Sequence, residues 1–334
     1  DGPYLYSYVW QGHLAPLDEL LADSTMEDLL PSIIEQGSYG GRLYSVGVFD
    51  SGLALYADVE KIRATGIRLP GGAESAWSIE EFNSLLNKLA EDDPDGAVLD
   101  LKLNYGGEWY TYAFSPGLQS AGADLIDRSN YQAADGILNS SEAAASLRHV
   151  GSWISQGLVD PNLDDAAFVS GRVAISWAGH WEQARYAEAL GDNLLLLPLP
   201  DFGHGSRSGQ GSWNWGISRY AKHPQAAAAF LEFLLQSSEV LAITDANGAV
   251  PATKTAVAKS RLYGPRGRLR LFALQLLQGF TLPRPQTPAY PVITSAFQQA
   301  FLDIRNGSDS AAALDKAAAV IDEDIRDNNG YQAP

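Results

Sequence analysis

Residues 211–237 read GSWNWGISRYAKHPQAAAAFLEFLLQS, and two periodicities meet in them. From Trp213 to Ser218 the pattern suits a strand. Alternate side chains of a strand face opposite ways, so Trp213, Trp215 and Ile217 share one face and Asn214, Gly216 and Ser218 the other. After a polar turn the spacing becomes helical, entered through Pro224 and continuing through KHPQAAAAFLEFLLQSSEVLAIT, residues 222–244.

The same alternation extends both ways. Upstream, SAWSIEEFNSLLNKLAEDDPDG places Ser78 as N-cap with Glu81 three residues on, and Ile79, Phe82, Leu85, Leu86 and Leu89 form an apolar stripe. AVLDLKLNYGG (97–107) alternates as a strand. SSEAAASLRHVGSWISQGLV is a helix closed by Gly157. RVAISWAGHW (172–181) and NLLLLPLPDFG (193–203) are apolar strands. Downstream, SAFQQAFLDIRNG and SAAALDKAAAVIDEDIRDN predict two closing helices, and the opening DGPYLYSYVWQGHLAPLDELL reads as the exit from a buried strand into a helix. Strands separated by helices define an α/β class.

Composition narrows the function. The chain has 334 residues, enough for two lobes, with 46% hydrophobic and 19% charged residues, as in globular proteins. A formal net charge of -17 argues against nucleic acid and anionic lipid as partners. The sequence has no cysteine, which excludes disulfides, thiolate metal sites and cysteine nucleophiles. Its five histidines, at 13, 149, 180, 204 and 223, lack metal-ligand spacing, and there is no P-loop, GxSxG or HExxH. No cofactor and no metal are expected.

Four stretches, in this order, resemble the extracellular solute-binding proteins of ABC importers, in particular the sugar-binding family that includes maltose-binding protein. YGGRLYSVGVFDSGLALYADVEKIRATGI (39–67) is similar to that family's glycine-aromatic hairpin, strand and following helix. AWSIEEFNSLLNKLA (76–90) is similar to its next helix, AFVSGRVAISWAGHWEQA (167–184) to its strand ending in Gly-x-Trp, and LPLPDF with the opening stretch to its return strand and helix. The resemblance implies an α/β periplasmic binding-protein fold of type II, with two lobes joined by hinge strands and a ligand cleft between them. It places residues 1–102 and 216–281 in the first lobe and 103–215 and 282–334 in the second. In the family a β-α-β-α-β stretch comes before the segment that starts here at Asp1.

Candidate ligand contacts follow from both lines of reasoning. Trp213, Asn214 and Trp215 lie on a strand that crosses beside the ligand in the family, although a buried core strand would show the same pattern. SWAGHWEQ brings Trp177, His180, Trp181 and Glu182 to a strand end, where the family's Gly-x-Trp faces the cleft. LNYGGEWYTYAF surrounds Glu108 with Tyr105, Trp109 and other aromatics; such rings stack on the C–H faces of a sugar while a carboxylate accepts its hydroxyl hydrogens. Asp50, in VFDSG, is either an ordinary turn residue or a carboxylate fork for paired hydroxyls. Asp1 and Tyr4 are added on similar grounds, and Tyr290 because the family often places an aromatic before a helix there. Tyr263 and Arg266 are weaker candidates, the basic run 266–270 reading as a solvated face.

The expected ligand is a sugar (a mono-, di- or short oligosaccharide, or a glycoside osmolyte) and the expected partner a set of membrane permease subunits, for a monomeric protein that is periplasmic, extracellular or lipid-anchored. Two other classes remain open on the residues alone. A glycoside hydrolase needs two carboxyls roughly 5–5.5 or 6.5–9.5 Å apart, for which Asp50, Glu108 and Glu182 are the candidates. A binder of polyamines or peptides would use an acidic cleft and the tryptophan faces.

Overall fold

Ser78 caps its helix as its spacing predicts: its hydroxyl accepts from the Glu81 amide, and the Glu81 carboxylate accepts from the Ser78 amide. The helix so started, Ile79–Glu91, buries the predicted stripe of Ile79, Phe82, Leu85, Leu86 and Leu89. The protein is described by a computed structural model covering residues 1–211 and 213–332.

Eleven of the thirteen strands among the described residues define the frame, the short hairpin Ser38–Tyr39 and Arg42–Leu43 aside: β1 (Leu14–Ala15), β2 (Ser45–Gly47), β3 (Phe49–Asp50), β4 (Leu53–Asp58), β5 (Leu99–Asp100), β6 (Ile175–Gly179), β7 (Leu194–Leu197), β8 (Ser208–Gln210), β9 (Asn214–Ser218), β10 (Val250–Pro251) and β11 (Thr281–Pro283). The main sheet runs β5-β6-β4-β7, with β5 and β6 parallel and the other pairs antiparallel. Every residue from Leu53 to Ala57 is fully buried, as the apolar run LALYA requires of a strand covered on both faces. Leu53, Leu55 and Ala57 enter one core and Ala54 and Tyr56 another. A second, three-stranded sheet runs β1-β9-β2, with Trp215 opposite Val46 and Ile217 opposite Ala15.

The larger core joins β4 to Ile79–Glu91 and to four further helices: α1 (Trp109–Ser120), α2 (Ser141–Ser155), α3 (Tyr290–Arg305) and α4 (Ser310–Asp327). Phe114 stacks on Phe301 with centroids 4.3 Å apart. The other core gathers Leu17, Ile33, Val46, Ile217 and Leu231 and reaches the opposite face of the main sheet. The larger core includes Leu53, Leu101, Leu103 and Tyr110.

Two predicted elements take different forms. Residues 97–107 hold only the short β5, because the chain turns at Lys102, whose φ is +53°. The helix expected over 222–244 is two, Pro224–Leu234 and Ser237–Asn247, bent by 62°. Leu231 and Val240 lie nine positions apart and would point to opposite sides of a straight helix. The break, with Gln236 extended at ψ 140°, lets both be buried.

Candidate ligand-binding site

Three chain passages converge: β3 to β4, β8 to β9, and β11 to α3. Each leaves residues at one place: Phe49 and Ser51 from the first, Gly211 and Trp213 from the second, Arg284 from the third. The start of α1 adds Glu108, Trp109 and Tyr112, the end of β6 adds His180 and Trp181, and Asn247 and Asp1 complete the wall of a cavity of about 410 Å³.

One side of the cavity is aromatic. The Trp181 ring stands edge-on to Trp109 at 6.0 Å and to His180 at 5.3 Å, and lies 6.4 Å from Tyr112. The indole keeps 38% of its residue surface exposed. Its seat needs Gly179: a Cβ there would come within 2.1 Å of the indole carbons, so any side chain would push the ring away. Trp109 is itself fixed, its Nε1 donating to the Leu101 carbonyl at 3.2 Å.

The other side is ionic. Arg284, only 6% exposed, donates to both carboxylate oxygens of Asp1 at 2.9 and 3.1 Å and to Glu108 Oε1 at 2.5 Å. Glu108 also accepts from the Tyr290 hydroxyl and, on its other oxygen, from Thr294 Oγ1 at 2.8 Å. The guanidinium lies 5.1 Å from the Tyr112 ring centre, a cation–π arrangement. Burial works against the charged form of Arg284, but Tyr290 and Glu108 beside it raise its pKa above the usual arginine value. Gly211 is required here too: its φ is +141°, and a Cβ would lie 2.5 Å from an Arg284 nitrogen. Tyr4 packs edge-on against Tyr290 at 5.8 Å, behind this wall.

His180 is nearly buried, and its Nδ1 lies 3.1 Å from the Asn247 carbonyl oxygen, which can only accept. This bond requires the Nδ1–H tautomer and leaves Nε2 as an acceptor. Burial pulls the histidine down to about 4, so it is neutral at pH 7.

Of the residues singled out in the sequence, Asp1, Glu108, Trp109, His180, Trp181 and Trp213 line the cavity. Tyr4 and Tyr290 stand behind it. Asp50 is wholly buried beneath it, accepting from Gln36 Nε2 at 3.0 Å and from the Ser51 and Gly211 amides; it ties two of the passages together, and burial raises its pKa. Ser51 in turn accepts from the Tyr112 hydroxyl at 2.9 Å.

Glu182 turns away from the cavity into a second ionic cluster. It accepts from the Tyr105 hydroxyl at 2.8 Å and lies 3.4 Å from Lys102 Nζ, which also meets Asp165 at 2.9 Å and Asp100 at 3.5 Å. Trp177, the middle residue of β6, lies opposite Leu55 and is buried with it in the larger core. Asn214 donates to Ser45 Oγ at 3.1 Å within the three-stranded sheet, and Trp215, half exposed there, does not line the cavity. Tyr263 is buried with its hydroxyl on the Gly248 carbonyl.

Arg284 escaped sequence reading. It sits alone in TLPRPQTP, and its two acids lie 283 and 176 positions away. Phe49 begins β3, Ser51 follows it and Asn247 ends the helix before β10, so they meet only through the pairing of β3 with β10.

A family model described as bacterial extracellular solute-binding protein matches residues 1–262. The chain is 23% identical over 332 residues to the maltodextrin-binding protein MdxE of Bacillus subtilis, covering 95% of this chain and 74% of that one. The GacH receptor of Streptomyces glaucescens, solved unliganded and with acarbose, superimposes with a TM-score of 0.78 at 21% identity, covering 98% and 81% of the two chains. The cyclic alpha-maltosyl-1,6-maltose binding protein of Arthrobacter globiformis gives 0.79 at 21% identity, covering 97% and 83%.

Proposed function

We propose that this chain, which belongs to the bacterial extracellular solute-binding protein family, captures a neutral, hydroxyl-rich ligand in the cavity between its lobes and delivers it to the permease of an ABC importer. The ligand is a mono-, di- or short oligosaccharide. The protein is extracellular. The observation that carries the sugar reading is the composition of the cavity. Trp109, Tyr112, Trp181 and Trp213 offer ring faces, and the cation in the cavity wall, Arg284, is balanced by Asp1 and Glu108. Ring faces suit the C–H faces of a sugar, and the carboxylates and His180 Nε2 accept hydroxyl hydrogens. A volume of about 410 Å³ is at the small end of the roughly 300–1,000 Å³ seen for ligand pockets.

The same geometry speaks against the other classes. A polyamine would meet Arg284 in the wall, and the carboxylates that would attract it are already ion-paired. For glycoside hydrolysis one carboxyl must act as a proton donor. Glu108 instead accepts three hydrogen bonds, and Glu182 faces the Lys102 cluster.

Calorimetry against a panel of neutral mono- to tetrasaccharides, with putrescine and a tripeptide alongside, tests the reading. Saturable binding to at least one sugar, without release of product on prolonged incubation, is expected. Binding of the amine or peptide alone, or steady hydrolysis, would overturn it.

A further inference from the structure

A second cavity of about 470 Å³ shares His180, Trp181 and Asn247 with the first as a common wall. Its far side is formed by Asp245, Arg261 and Arg268. Neither arginine pairs with a carboxylate among the described residues. They belong to an unusual stretch: between Asp245 and Asp303 the sequence holds seven lysines and arginines and no acid, in a chain of formal net charge -17. The loop that carries them is held in place rather than loose. The buried Tyr263 donates to the Gly248 carbonyl, and the Leu269 amide to the Leu262 carbonyl at 3.0 Å. Gly248 has φ +72° and lies against the His180 carbonyl, so the edge where the two cavities adjoin is fixed by the same loop.

We infer that this annex receives an anionic group, carboxylate or phosphate, carried at one end of the ligand whose sugar ring occupies the first cavity. The inference rests on the sugar reading above. Guanidinium groups match both anions through paired N–H donors, and two of them outweigh the single carboxylate of Asp245. A neutral sugar offers these arginines only hydroxyls, whereas a charged terminus gains two partly exposed ion pairs.

The test is calorimetry of the full chain with three probes that share a glucose ring: maltose, a disaccharide whose terminal ring is glucuronic acid, and glucose 6-phosphate. At low salt one of the anionic probes binds about three- to tenfold more tightly than maltose, from two exposed ion pairs. The preference shrinks as salt rises. In the double variant Arg261→Gln, Arg268→Gln the ratio of affinities falls to near one. The uronate and the phosphate arms tell the two anions apart. Maltose binding as tightly as both anionic probes overturns the inference and leaves the sugar reading standing. No binding of any probe or of the neutral panel overturns both. A preference unchanged in the double variant places the anion elsewhere and overturns the inference. So does a chain indifferent to sugar charge that sediments with phosphatidylglycerol vesicles only while both arginines are present.

Discussion

Two buried cations stand near the cavity and do different things. Arg284 holds Asp1 and Glu108, stacks on Tyr112 and forms part of the wall. Lys102 holds Asp100, Asp165 and Glu182 between the rings of Tyr105 and Tyr186, each 5.5 Å away, and is sealed behind the wall. The difference follows from shape. A planar guanidinium can span two carboxylates and still present a face to a ring and an edge to a cavity, whereas an ammonium is a point charge that is best surrounded. We propose that the Arg284 cluster serves ligand and wall, and the Lys102 cluster the support beneath Trp181, the neighbour of Glu182.

Removing the lysine should break the second cluster hardest. Lys102→Met leaves the buried Asp100 without its counter-charge and Glu182 with Arg185 alone, and loss of one partner of a buried ion group costs about 3–5 kcal/mol. Urea unfolding measures this. A loss under 1 kcal/mol would mean that the carboxylates are served by Ser176, Tyr105 and Arg185 alone, and that the cluster is not the support described.

Acid should separate the same two regions. Burial holds His180 at about 4 in the folded protein, against 6.5 for a free histidine, so the unfolded chain binds the extra proton first. Its contribution to stability is complete above pH 6.5 and is lost as pH falls toward 4, by up to about 3 kcal/mol. Lys102 stays charged throughout, its pKa held above the ordinary lysine value by Asp100 and Tyr186 against the effect of burial. The difference between the wild-type and His180→Gln stability curves isolates the histidine. Parallel curves from pH 7 to 4.5 would show that its ring is not shielded.

These contrasts also explain what could be read in advance. The capped helix at Ser78 and the strand LALYA are local facts, each decided by residues within a few positions of one another. The fate of a carboxylate is not local. Glu108 and Glu182 both sit in sequence among aromatics, yet one reaches the wall and the other the support, according to whether Arg284 or Lys102 is folded against it. The lobe boundary has no local mark for a related reason. A strand buried on both faces has no polar side to show which core it belongs to, and β4 feeds two. We propose drawing the first crossing near residue 52, where Ser51 and Gly52 leave β3, rather than at 102.

Arg284→Met should weaken the first cluster less than Lys102→Met weakens the second. Glu108 keeps Tyr290 and Thr294 as donors, and Asp1 is partly exposed. A stability loss of about 2 kcal/mol is expected, the value of a charged hydrogen-bond set. Ligand affinity should fall in the same variant, whereas Lys102→Met, where it still folds, should bind more nearly as the wild type does. Equal affinity losses in the two would erase the division between wall and support.

The smallest effect separates two tryptophans on one segment. Trp177 is 1% exposed inside the larger core, and Trp181, four residues on, is 38% exposed over the cavity. Trp181→Ala should lower sugar affinity by about 1–2 kcal/mol, the value of a part-buried apolar ring, with little change in melting temperature. Trp177→Ala should do the reverse, since it empties a core site and Trp177 does not line the cavity. Gly179→Ala supplies the control. It keeps both rings but drives Cβ into the indole of Trp181, so it should reproduce the affinity loss of Trp181→Ala. Tryptophan fluorescence titration with the tightest sugar of the panel reads all three variants. If Gly179→Ala binds as the wild type does while Trp181→Ala does not, the indole reaches the ligand from a position other than the one seated on Gly179. If neither loses affinity, the wall lies elsewhere in the cavity, with Trp109, Tyr112 and Trp213 the rings to truncate next.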